Sequence, residues 1–247
     1  MTPRLATRIA MLVRSLAVQG SWNYRTLIGT GFAFALLPAL RRIYAGDPAA
    51  LDAAALRHAT LFNTHPYLVG IALGAVARLE AERESPVVIE RFKTAVRGSL
   101  GGLGDRLFWA GWKPVCVLVA LVLLLGGTPW WLAVAGFLLL YNVGHLSVRI
   151  WGLHIGFQSG KEVGESVRRS HVARAQRPIT AAGAFLLGLL LPLLATDGGM
   201  PIQPSPAWAL AAGLAGLVGV RLGPAIQRPA ILTTAAVVLL LLALGSQ

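Results

Sequence analysis

The chain has 247 residues, 55% hydrophobic and 13% charged, with a mean hydropathy of +0.66. Soluble domains carry about 25% charged residues, so the composition excludes an ordinary soluble domain and defines a membrane protein. The formal charge of +12 does not indicate a nucleic-acid partner, because the arginines flank apolar segments and no aromatic-basic motif accompanies them.

Residues 3–18 read as a basic amphipathic helix (Arg4, Arg8, Arg14) resting on an anionic membrane surface. They lack the compact apolar core and cleavage site of a secretory signal. Apolar runs follow at 27–40 and 66–79; both are too short to cross ~30 Å alone, which takes about 20 helical residues. Between them Asp47 and Pro48 suit an N-cap and first turn, starting a helix expected to run to about Phe62.

The segment Phe62-Asn63-Thr64-His65-Pro66-Tyr67 breaks the helical pattern. His65 precedes a proline and is biased away from helical angles, and Pro66 fits the first turn of a new helix. A break of this kind exposes unpaired N–H groups and a positive dipole end to whatever the polar side chains line. Next, Arg78 to Lys93 with Arg97 brings nine charges and is expected in water. The glycine-rich stretch Gly98 to Gly104 then leads to Asp105, read as the cap of a helix from Arg106 to about Leu125. Gly126, Gly127 and Pro129 form a turn, and Trp130 to Ser147 returns as the second arm of a hairpin, with Trp130 and Trp131 as interfacial anchors. Cys116, the only cysteine, lies in an apolar helix and excludes intrachain disulfides and cysteine-based metal sites.

Further apolar segments lie at 179–195, 207–220 and 230–245, the second short enough for half of a re-entrant pair. Loops 126–129 and 196–206 hold no Lys or Arg, whereas 148–178 and 221–229 are basic. The positive-inside rule then places the N-terminus and basic loops in the cytoplasm and the C-terminus outside. The expected fold is an all-α integral membrane protein: about five C-terminal transmembrane spans preceded by amphipathic and short, re-entrant-type helices. Gly152, Gly156, Gly160 and Gly164 recur every fourth residue, a small-residue stripe along which another helix can approach.

Asn63, Thr64, His65 and Asp105 form the candidate substrate site. A sugar needs this mixture of donors and acceptors, and an aromatic face such as Tyr67 or Trp109 to cover its C–H surface. The competing reading is that Thr64 and Asp105 only cap helices while Asn63 and His65 satisfy backbone groups. Asn142, His145 and Arg149 share one helix face, with Asn142 a further candidate, although Arg149 reads more simply as a cytoplasmic-end anchor. No phosphate-binding glycine loop, zinc-type His pair or activated nucleophile is evident, so neither catalysis, a metal nor a cofactor is expected of the chain alone.

The ordered set Asn23-Tyr24, Gly31-Phe32-Ala33-Phe34, Leu37-Pro38-Ala39-Leu40, Tyr44, Phe62 through Leu68, Gly101 through Trp109 and Tyr141-Asn142-Val143 resembles the IID membrane component of the mannose/fructose/sorbose family of phosphoenolpyruvate-dependent sugar phosphotransferase systems. With the glycine stripe it covers about residues 21–165, after a basic N-terminal helix at 1–20 and before a basic loop and C-terminal helices at 166–247. Arg106, Lys113 and the Arg25 to Ile28 stretch depart from the family pattern. The resemblance implies a permease subunit of the bacterial inner (cytoplasmic) membrane. It would pair with a IIC subunit to bind and translocate a hexose-type sugar, which soluble IIA and IIB phosphocarrier proteins phosphorylate. His65 is then site-forming and not a phosphorylation site. The alternative is a diverged regulatory or scaffold subunit that does not transport.

Overall fold

A computed structural model describes residues 4–197 and 210–220. The expected span at 230–245, the basic loop at 221–229 and the 198–206 part of the uncharged loop lie outside the described residues. Within them every regular element is helical, and two isolated bridges, Asn23 with Leu27 and Leu27 with Phe62, are the extended pairings. The chain forms two units, Met1–Trp109 with Asn142–Arg174, and Ala110–Tyr141 with Ala175–Gln247.

In the first unit, α1 (Leu5–Leu16) turns Met11 and Ser15 inward and leaves Leu5, Ile9, Val13 and Leu16 exposed, an apolar outer stripe. α2 (Gly29–Ile43) buries Phe32, Ala35, Leu36, Ala39 and Leu40, the spacing of a single helix face. α3 (Pro48–His58) starts as the sequence suggests, with the Asp47 carboxylate accepting from the Ala50 N–H at 2.9 Å, but ends four residues short of Phe62. α4 (Val69–Ala81) is buried along almost its whole length and is the centre of this unit. It ends in a Schellman arrangement: Arg83, at φ 58°, donates to the Glu80 carbonyl and Glu84 to the Leu79 carbonyl.

The glycine stripe is half used. A Cβ built on Gly156 would lie 2.3 Å from the Ile71 carbonyl oxygen, and one on Gly74 would lie 2.4 Å from that of Leu153. So α4 and α7 (Trp130–Ser159) meet backbone to backbone, with small residues supplied by both helices. Gly160 instead takes φ 53° and breaks α7, and Gly164 faces open space. The stripe cannot continue past a helix end.

The acidic end of α4 is not all in water. Glu80 and Lys93 are each 1% exposed. Glu80 accepts from Arg57 Nη2 at 2.7 Å, His58 Nε2 at 2.7 Å and the Tyr44 hydroxyl at 2.5 Å, joining α2, α3 and α4. Burial pushes Glu80 up, but the hydrogen bonds from His58, Arg57 and Tyr44 outweigh it and hold the carboxyl at about 2. Desolvation holds His58 below its ordinary value against the pull of Glu80, so the ring is neutral and donates Nε2–H. A depressed carboxylate pKa stabilises the fold fully above its ordinary value of 4.5 and loses that contribution as pH falls toward about 2. The contribution at neutral pH is on the order of 3 kcal/mol. Thermal melts of the purified protein are expected to fall from pH 6 to pH 3 with Glu80 in place and to change much less in Glu80→Gln, which melts lower at pH 6. Equal pH slopes would rule the carboxylate out as the source.

α5 (Pro86–Gly104), capped by Ser85, does not stop at the glycines. It passes through a π-helical stretch, Asp105–Trp112, into α6 (Lys113–Leu125). The expected helix start at Asp105 is therefore replaced by an unbroken helical run, Pro86–Leu125, of 40 residues. The Gly126-Gly127 turn is as expected, with Gly127 at φ 87°, and α7 continues twelve residues beyond Ser147 to Ser159. Short helices α8 (Val163–Arg169) and α9 (His171–Arg174) follow.

In the second unit, α10 (Gln176–Asp197) packs with α6 and receives α11 (Leu210–Val220). Close approach is again at glycine: a Cβ on Gly188 would meet the Ala212 carbonyl at 2.2 Å. Two helical stretches, Pro86–Leu125 and Trp130–Leu190, are long and apolar enough to cross a membrane. The expected count of five spans is not reached among the described residues.

Candidate functional site

The break between α3 and α4 is built by satisfying its backbone from another segment. Asn23 Oδ1 accepts from the N–H groups of Arg25 and Thr26 at 3.0 and 2.9 Å, shaping a tight loop in which Leu27 takes φ 53°. That loop pairs with Phe62: its N–H donates to the Thr26 carbonyl at 3.2 Å, and its carbonyl accepts from Ile28 at 3.0 Å. The Phe62 ring is fully buried against Phe32. Non-helical backbone is thereby accommodated inside a helical protein. Pro66 sits in a turn three residues ahead of α4 and not in its first helical turn.

The neighbouring polar residues divide into two pairs. Asn63 and Asp105 are exposed. Thr64 and His65 are 5% and 2% exposed, and Thr64 Oγ1 and His65 Nε2 have no hydrogen-bond partner among the described residues. Thr64 is therefore not a helix cap, and Asp105, in mid-helix, is not one either. His65 partly fits the structural alternative, since Nδ1 accepts from the Tyr67 N–H at 3.2 Å. With Nδ1 accepting, the neutral ring carries its proton on Nε2, a buried donor still to be matched.

The sequence treats Thr64-His65 and Gly104-Asp105 as complementary, and the structure brings them together. A Cβ on Gly104 would fall 2.2 Å from both Cβ and Cγ of His65, so the imidazole lies directly on the bare glycine backbone, and the Asp105 carboxylate acts on the ring electrostatically. The wide π-helical turn then presents Phe108 and Trp109 to the same place. His65 stacks on Phe108 at 5.4 Å and lies 4.8 Å from Trp109. Tyr67 meets Phe108 edge-on at 5.0 Å and Trp109 at 5.6 Å. Inserted π turns occur often at functional sites.

From α7, His145 stacks on Tyr67 at 4.5 Å, and His145 Nε2 is 3.0 Å from Asn142 Oδ1. Arg149, expected at the cytoplasmic end, is buried instead, with its guanidinium carbon 5.0 Å from the Tyr67 ring centre. Phe108 and the inward role of Arg149 were not singled out from sequence. The available signal was the helical spacing of Asp105 and Phe108, masked by glycines that read as a loop. The arrangement offers a buried hydroxyl and a buried donor on adjacent residues, an exposed amide on the residue before them and an exposed carboxylate next to Gly104, and rings packed around the imidazole.

These features define a membrane protein, helical throughout its described residues, with a cluster of polar and aromatic side chains at a helix break. The chain belongs to the mannose/fructose/sorbose family of phosphotransferase-system IID components, whose family model matches residues 5–196. It is 28% identical over 186 residues to the mannose-specific EIID component of Escherichia coli (strain K12), covering 73% of this chain and 65% of that protein. It is 29% identical over 190 residues to the fructose permease IID component of Bacillus subtilis (strain 168), covering 74% and 67%. The match thus spans just under two thirds of the length of the Escherichia coli relative. A solved membrane protein superposes with a TM-score of 0.67 at 28% identity, over 77% of this chain and 71% of that one. A chain from the cryo-electron microscopy structure of the mannose transporter ManYZ with microcin E492 (MceA) shares the fold, with a TM-score of 0.61 at 23% identity over 98% and 96%.

Proposed function

We propose that this chain is the membrane subunit of a mannose-family sugar phosphotransferase permease. It binds and translocates a hexose-type sugar together with a IIC subunit, for phosphorylation by IIB after transfer from IIA. It is a multi-pass protein of the inner (cytoplasmic) membrane with its basic loops inside. It carries no catalytic group of its own; His65 shapes the site. Family membership supports the assembly, and the relatives' names, specific for mannose and sorbose or given as a fructose permease, support a sugar.

The observation that carries the reading is the pair of buried, unmatched polar atoms, Thr64 Oγ1 and His65 Nε2. Leaving such a group unpaired costs about 1–3 kcal/mol, a cost that sugar hydroxyls relieve. Asn63 gives and accepts at the rim, Asp105 accepts from two hydroxyls, and Tyr67 and Trp109 cover the C–H face, with Asn142 holding His145 behind Tyr67.

The test is co-purification with candidate IIC and IIB proteins, followed by a sugar-binding panel and uptake assays. Asn63→Ala or Asp105→Ala, at normal membrane levels, is expected to abolish uptake. Thr64→Val removes an unmatched hydroxyl while keeping its shape, so it is expected to weaken sugar binding about tenfold without lowering the melting temperature. Unchanged uptake in the first two variants would remove those residues from the site. Retention of IIB by a complex that binds no sugar on the panel would favour the non-transporting scaffold.

A further inference from the structure

The aromatic side of the site is held from behind by one buried guanidinium. Arg149 is 4% exposed. Its Nη1 donates to the Ser15 carbonyl at 2.9 Å and lies 3.3 Å from Ser15 Oγ. Ser15 belongs to the last turn of α1, where the negative end of the helix dipole favours a cation. The guanidinium carbon sits 5.0 Å from the Tyr67 ring centre, and one turn earlier on α7 the His145 ring stacks on Tyr67 at 4.5 Å with an interplanar angle of 18°. Backbone placement is fixed as well, since a Cβ on Gly70 would lie 2.8 Å from the Arg149 carbonyl oxygen. Burying a guanidinium is costly unless its partners are well matched. Only arginine combines a planar face for a ring with a fork of N–H donors for a helix end.

We infer that Arg149 is a positioning residue for substrate recognition: it fixes Tyr67 in the aromatic side of the site and ties it to the C-terminal turn of α1. The set of α1 against the protein thereby tunes the affinity of the site. This rests on the sugar-binding reading of Thr64, His65 and Tyr67. Arg149 touches no substrate and acts through the Tyr67 ring.

The experiment measures KM and Vmax of sugar uptake by the assembled complex, at matched membrane levels, for Tyr67→Leu, Arg149→Lys and the double variant. Each single change is expected to raise KM about tenfold with Vmax within about twofold, and the double to raise it no further than the larger single effect. Multiplying KM effects, or a fall in Vmax with KM unchanged, overturns the coupling. Met11→Ala gives a second route from the other side, because Met11, on the inner face of α1, is fully buried. It is expected to raise KM and to add nothing on top of Tyr67→Leu, which decides the matter where Arg149→Lys does not accumulate. An unchanged KM in Tyr67→Leu overturns the sugar-binding reading and the coupling with it. A raised KM there with independent Arg149 and Met11 effects overturns the coupling alone.

Discussion

Gly156→Ala is expected to destabilise the first unit by about 3 kcal/mol, whereas Gly164→Ala, eight residues on in the same sequence stripe, is expected to be neutral or slightly stabilising. At Gly156 the added methyl would lie 2.3 Å from the Ile71 carbonyl oxygen and 2.8 Å from the Ala75 nitrogen. Both are backbone atoms of the buried helix α4, so no side chain can rotate away, and α7 has to separate from α4. That separation opens the contact made from the other side by Gly74, where a methyl would sit 2.4 Å from the Leu153 carbonyl. At Gly164 nothing lies within 4 Å, and alanine gains up to about 1 kcal/mol of helix propensity. Melting temperatures of the two variants in the same detergent check this ordering. A Gly164→Ala protein that melts below Gly156→Ala would show that the stripe is used along its length, contrary to the break at Gly160.

The contrast along that stripe shows what the sequence makes legible. Four-residue spacing marks a smooth helix face, but only partner backbone decides which glycines are compressed, and the partner helix lies about eighty residues away in the chain. The helix break at Phe62 to Tyr67 was legible because His65-Pro66 acts locally on backbone angles. Its stabilisation by the Asn23 to Ile28 loop was not, since pairing across that distance leaves no periodic signal. The same holds for Glu80 and Lys93: they read as solvated charges in a charge-rich segment, and their burial depends on Tyr44, Arg57, His58 and Thr60 arriving from elsewhere. Gly98 to Gly104 misled in the opposite direction. Glycines usually signal loops in water, yet in a membrane protein they also mark helix surfaces made bare for contact. At Gly104 the contact is the ring of His65.

Gly104→Ala is therefore expected to lower the apparent sugar affinity of the assembled complex tenfold or more, although neither the glycine nor the added methyl contributes a polar group. A Cβ there would lie 2.2 Å from Cβ and Cγ of His65 and 2.9 Å from Cδ2, which the ring cannot absorb while staying stacked on Phe108 at 5.4 Å. As the imidazole moves, Nδ1 leaves the Tyr67 N–H that it accepts at 3.2 Å, and Nε2 no longer points where it is buried now. The unmatched donor then turns elsewhere, and the aromatic side shifts with Tyr67. Gly101→Ala is the control: no atom lies within 4 Å of its built Cβ, so affinity is expected to match the parent with helix stability equal or higher. Placing His65→Gly in the Gly104→Ala background removes every side-chain atom that the added methyl would meet, Cβ included, and is expected to raise the melting temperature above that of Gly104→Ala without restoring binding. Recovery of binding in that double variant would show that His65 obstructs the site and does not form it. Full affinity in Gly104→Ala itself would place the sugar away from the imidazole.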